Sequence, residues 1–256
     1  MKSLFAFMKK EGLESVRSGK IPVLIIVFAL FGIMNPAIAK LTPWMAEIMA
    51  DGLAETGMVI TEIQVNALTS WAQFFKNIPM ALIVFVLMYN GIFIKEYQTG
   101  TLILVLTKGM SRCLVVLAKS ALMLMLWTFG YWLCFGITYG YNHYFWDNSI
   151  VNHLFAAGVF WWLFGIWTVC LVVLFSTVSS NAAGVLLGTG CGVVGSYLIG
   201  FLPKIGEFMP TVLMNSSPLL IREETADGYL KALVVTLSLC VGCLTIGIRL
   251  MNKKQI

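Results

Sequence analysis

Between Asn148 and Pro203 the chain runs for 56 residues without one Asp, Glu, Lys or Arg. A helix in a soluble core needs no such length, because about 20 helical residues already span the hydrocarbon of a bilayer. Two membrane spans joined by a tight turn account for the run. The joint belongs at the polar cluster Ser176-Thr177-Val178-Ser179-Ser180-Asn181.

The same reading extends to the rest of the chain. Of its 256 residues, 59% are hydrophobic and 11% charged, where a soluble domain carries about 25% charged residues. So few charges cannot clothe a water-facing surface. Six apolar stretches follow: Ile21 to Ala39, Asn77 to Ile94, Cys113 to Tyr139, 154–175, 182–202 and Tyr229 to Leu250. Lys119 interrupts the third, and its stem is expected to reach the headgroups. Asn35-Pro36 is expected to kink or fray the last turn of the first. The opening segment has too basic a flank, and too few small residues near a cut site, for a cleaved signal peptide. The expected fold is all-α and polytopic, with six transmembrane helices in a single domain over 1–256.

Counting charges on alternate sides orients the spans. The N-terminal segment, the connection between the second and third spans, and the tail hold 12 of the 17 basic residues and are net +9. The opposite side is net −4. Short-loop bias of this kind puts both termini in the cytoplasm, and the alkaline balance needs anionic lipid rather than nucleic acid as its partner. The six cysteines fall in spans or, for Cys113, at a boundary. They imply no disulfide framework. His143 and His153 lie near the loop after the third span, with no Cys/His spacing of a metal site.

Lys2 to Arg17 is a basic amphipathic stretch. Leu4, Phe5, Met8, Leu13 and Val16 share a helical face, which suits a helix lying on the inner leaflet. Beyond the first span, Glu47, Asp51, Glu55 and Glu62 recur at spacings near four and read as short solvated surface helices. The connection from Lys95 to Arg112 is apolar yet too short to cross a bilayer twice. A helix at the membrane boundary, covered by another protein, fits it. Gly109 would end one element and Ser111 cap the next, and Glu96 and Arg112 would sit close enough for an ion pair.

The stretch from Glu96 through Gly100, Thr101, Leu102, Leu104 and Leu106 to Ser111, Arg112 and Lys119 resembles the permease subunit of ABC-2-type transporters. That family usually has Pro-Ile-Ser-Arg or Pro-Val-Ser-Arg before the third span, where this chain has Gly109-Met110-Ser111-Arg112. The resemblance extends to the span count, the amphipathic N-terminal helix and the Pro-rich segment before the last span. It implies an interface helix at the N-terminus and a coupling region at Glu96, Gly100, Thr101, Leu104 and Arg112. It implies a separate cytoplasmic ATPase that binds ATP and Mg, a second permease chain, and short re-entrant or outer-gate helices in Leu202 to Leu220. The chain itself lacks a Gly-x-x-x-x-Gly-Lys-Ser/Thr loop, so no catalytic residue, cofactor or metal site is assigned to it.

The function expected from the resemblance is ATP-driven export across the bacterial plasma membrane. Spans free of charge point away from ions and toward an amphipathic or hydrophobic cargo such as a peptide, lipid or drug-like molecule. Trp127, Tyr131, Phe135 and Trp162 are the candidate path residues. Gly184, Gly188 and Gly192 form small-xxx-small spacings for close helix packing. The alternative is a non-transporting sensor or immunity protein of the same fold. Topology is tested by single cysteines: those at Asp51, Asp147 and Glu223 should react with an impermeant thiol reagent in intact cells. One at Lys108 should stay unlabelled, and its labelling from outside would overturn the orientation.

Overall fold

A backbone surrounded by lipid must close its hydrogen bonds internally, which favours helices. The computed structural model describes residues 2–53, 65–107, 109–215, 217–221 and 226–253, and among these it is helical with no strand. The helices are α1 (Lys2–Arg17), α2 (Lys20–Leu53), α3 (Ala67–Tyr89), α4 (Ile94–Thr99), α5 (Thr101–Thr107), α6 (Arg112–Phe145), α7 (Leu154–Val178), α8 (Ala182–Gly200), α9 (Ser217–Leu220) and α10 (Leu230–Lys253). Six are long and apolar enough to cross a membrane: α2, α3 with its continuation α4, α6, α7, α8 and α10.

The spans fall where the sequence puts them, but several run longer. Helix α2 continues for 34 residues through Pro36 and Pro43 instead of fraying near Ala39. Pro36 has no amide proton for the carbonyl of Gly32, one turn back. The Thr138 hydroxyl of α6 donates to that carbonyl at 3.0 Å. Gly32 makes the approach possible, since a Cβ there would stand 2.9 Å from Ile137 Cβ. Asn35 is buried and accepts from Asn77 Nδ2 of α3 at 3.0 Å. The helix thus continues through Asn35-Pro36, and the carbonyl freed there is taken by its neighbour. Glu47 and Asp51 ride on the end of α2 rather than on separate short helices, while Glu55 and Glu62 lie outside the described residues.

Helix α3 begins ten residues before Asn77, where the Asn66 side chain accepts from Thr69 N at 3.1 Å. Helix α6 runs on past Tyr139 to Phe145. The turn in the uncharged run comes at Ser179-Ser180-Asn181, with Asn181 Oδ1 accepting from Gly184 N at 2.7 Å.

Helix α7 occupies the centre, packed against α6, α8 and α10, while α2 packs on α3 and α6. The segment before α10 forms short turns, Gly206–Phe208 and Pro210–Met214, and then α9. It is anchored by Trp161 Nε1 donating to Met214 O at 3.1 Å and by the Tyr229 hydroxyl donating to Asn215 O at 2.7 Å.

The α6–α7 seam depends on a missing side chain. A Cβ at Gly165 would overlap the Trp127 ring. Gly165→Ala should therefore destabilise the protein by about 1–3 kcal/mol through overpacking. Gly136→Ala meets open space and should be neutral or stabilising by up to about 1 kcal/mol. Melting curves of the two variants in one detergent give the comparison, and equal midpoints would contradict the packing account.

Candidate functional site

Five of the six ion pairs among the described residues lie within or between α1, α4 and α6, at the end of the molecule that carries both termini. Phe7, Glu11 and Ser15, spaced by four, form the buried face of α1. Of the apolar face expected to lie on the leaflet, Phe5, Leu13 and Val16 are exposed and Met8 is half-buried; the side chain of Leu4 lies outside the described residues. Helix α1 thus turns a carboxylate inward, against α6.

That carboxylate meets Lys119. The Lys119 side chain is 1% exposed, so it does not reach out to headgroups. Its ammonium donates to Glu11 Oε2 at 2.7 Å and to Ile92 O at 3.1 Å, and it lies 3.3 Å from Glu96 Oε1. Three donors thus face three acceptors, one on α1, one in the α3–α4 turn and one on α4. Lys10 approaches the rim, 3.4 Å from Glu11 Oε1 and 4.0 Å from Glu96 Oε1. Outside this buried core, Lys95 pairs with Glu14 at 2.7 Å, and that hydrogen bond holds the Glu14 carboxyl below its ordinary range. Both of these partners are well exposed, so that pair contributes little.

The coupling residues divide into two groups. Glu96 belongs to the cluster, with Lys119 rather than Arg112 as its principal partner. Arg112 donates instead to the carbonyls of Met251 and Asn252, at 3.2 and 3.4 Å. These are at the C-terminal end of α10, where helix carbonyls lack internal partners and a cation is favoured. Gly100 stands at φ +67° and separates α4 from α5. The apolar connection is therefore two short helices rather than one. Thr101 opens α5, and its hydroxyl lies 2.9 Å from that of Thr99. Leu102 is buried and Ile103 exposed; the side chain of Leu104 lies outside the described residues. Gly109, at φ +86°, and Ser111, whose Oγ accepts from Leu114 N, end α5 and cap α6 as expected.

The aromatic candidates sit in the packed interior. Trp127 and Tyr131 are fully buried and Phe135 nearly so. Trp127 Nε1 donates to Trp162 O at 3.1 Å, the Tyr131 hydroxyl to Gly158 O at 2.7 Å, and Trp162 Nε1 to Thr128 Oγ1 at 3.1 Å. These bonds fasten α6 to α7. Gly188 and Gly192 admit Phe175 and Leu171 of α7, so their close contact is within the chain; Gly184 abuts its own cap, Ser179 and Asn181.

An open apolar cleft lies elsewhere, between α3 and α8 with α7 as its floor. It encloses about 330 Å³ and is lined among others by Leu82, Val86, Phe164, Leu186 and Val193. The Thr189 hydroxyl in its wall is buried without a hydrogen-bond partner. Among the described residues no three His, Cys, Asp or Glu side chains converge as a metal site requires.

Sequence reasoning passed over Glu11 and read Lys119 as a boundary residue. The usable signal was present, because an ionisable residue inside a span marks a buried partner more often than a snorkelling stem. Lys119→Met leaves two buried carboxylates unneutralised and should cost about 3–5 kcal/mol. Adding Glu11→Gln and Glu96→Gln should restore most of it. Melting midpoints of the single and triple variants decide this, and a triple variant no better than Lys119→Met would contradict the cluster's energetic role.

No protein-family model matches the chain. It is similar to YxlG, an uncharacterized transmembrane protein of Bacillus subtilis (strain 168), with 24% identity over 262 residues that cover 96% of this chain and 95% of that one. Six apolar helices and this end-to-end similarity to a transmembrane protein agree that the chain is a polytopic membrane protein.

Proposed function

We propose that the chain is the membrane-spanning subunit of an ATP-driven exporter of the ABC-2 type. One arrangement carries the reading. Helices α4 and α5 form a bent pair whose root, Glu96, is locked to Lys119 within the helix bundle, while Ile103 beyond the Gly100 bend is exposed. Such an element joins an outside surface to the spans through a stiff, charged root. A cytoplasmic ATPase subunit pressing on α5 would move α4, α1 and α6 together.

In this reading ATP and Mg bind the partner ATPase, and the chain performs no bond chemistry of its own. Two permease chains stand side by side in the plasma membrane with their termini in the cytoplasm. The cargo is amphipathic or hydrophobic. The cleft between α3 and α8 suits it better than the sealed aromatic core does, because the cleft is open, apolar and supplied with one unpartnered hydroxyl.

The direct test is assembly and coupling. Purified from its host, the chain should bring down an ATPase in equal numbers. Glu96→Gln or Gly100→Leu should leave insertion intact while export falls at least about tenfold; Leu at a left-handed position costs about 1–2 kcal/mol and distorts the bend. A particle containing the chain alone would favour the sensor or immunity alternative. Full export by both variants at unchanged ATP turnover would remove the coupling role.

A further inference from the structure

The cleft between α3 and α8 has a direction. Pro79, Ile83 and Leu87 line it from α3, and Val193 and Leu186 from α8. Pro79 and Val193 lie toward the end opposite the termini, where Met214 also lines the cleft. At 1.5 Å per residue, Pro79 to Leu87 spans about 12 Å. An occupant meets hydrocarbon almost throughout. Thr168 Oγ1 donates to Phe164 O, Trp161 Nε1 donates to Met214 O, and Thr189 is buried.

A cation stands at the mouth. Lys76 is the only charged residue of α3. It precedes Pro79, Ile83 and Leu87 on one helix face, where residues three or four apart lie one above the next. It is exposed and forms no ion pair among the described residues. Lys76 to Leu87 is about 16 Å along the helix, close to half of a hydrocarbon core about 30 Å thick. The cleft therefore runs from one headgroup layer to about the midplane of the bilayer. A cation above an apolar slot one leaflet deep matches an anionic head on a hydrocarbon tail.

We propose that the cleft seats one acyl chain of an anionic phospholipid of the outer leaflet, with the phosphate facing Lys76. The leaflet follows from the charge bias, which puts the opposite, terminus-bearing end in the cytoplasm. A second copy of the chain fits less well, because an apolar helix brings no anion to Lys76. Under the export reading this lipid names the cargo class. The assignment does not rest on that reading, since binding is measured without ATP or a partner chain.

Gly190 supplies the decisive variant. It is exposed, it lines the cleft, and a Cβ there meets open space. Gly190→Phe should fill the slot with the fold intact, and Lys76→Gln alters only an exposed side chain. Delipidated protein in detergent is titrated with dioleoyl phosphatidylglycerol or dioleoyl phosphatidylcholine, and bound lipid is counted by native mass spectrometry. The wild type should retain phosphatidylglycerol about fivefold better, the scale of one basic residue at a lipid surface. Lys76→Gln should bring the two lipids to parity, and Gly190→Phe should lose both. Equal retention of the two lipids by the wild type, a preference that survives Lys76→Gln, or retention untouched by Gly190→Phe would overturn the proposal. Lipid-free dimers that Gly190→Phe breaks would give the cleft to a second copy and overturn it as well.

Discussion

A single ammonium buried at the end of the bundle organises the terminus-bearing half of this protein. Lys119 could not stay charged there alone, because an isolated ion loses far more hydration energy than apolar packing returns. Glu11 and Glu96 neutralise it, and they come from segments far apart in sequence. The amphipathic N-terminal helix is consequently part of the fold rather than a loose surface float. The α3–α4 turn is held as well, through the Ile92 carbonyl. Removing the ammonium would strand two carboxylates, so helices α1, α4 and α6 depend on one another.

The opposite half follows different physics. Within the uncharged stretches of the spans, helices are joined by rings, small residues and borrowed carbonyls. Gly165 makes room for Trp127, Gly32 lets α6 approach α2, and the Thr138 hydroxyl takes the carbonyl that Pro36 leaves open. A rigid aromatic core beside a charge-locked end leaves the α3–α8 cleft as an opening into the spans. The protein thus combines a packed interior with a surface element, α4–α5, that is rooted in the bundle at Glu96 and Leu102.

Much of the fold was legible from charge spacing. The uncharged run located α7, α8 and their turn at Ser179-Ser180-Asn181, and Gly109 and Ser111 marked the junction before α6. What could not be read was pairing across sequence. Glu96 and Arg112 are near each other along the chain, yet the carboxylate turned to Lys119 and the guanidinium to the end of α10. The inward face of α1 was also hidden, because its Phe7-Glu11-Ser15 stripe is half polar and a hydrophobic count favours Phe5, Leu13 and Val16. Aromatic residues misled for a related reason. Trp127 and Tyr131 stood out as path candidates because the spans carry no charges, but the polar tips of both are taken by backbone carbonyls of α7.

The central claim is that the buried ion cluster makes α1 and the α4–α5 element one mechanical unit. The direct measurement is the distance between spin labels at Leu13 and Ile103, both exposed, by pulsed electron resonance in lipid nanodiscs. The account predicts one narrow distribution in the wild type and a broad or shifted one when Lys119 is replaced by Met. A distribution that stays narrow and unmoved without the ammonium would contradict it.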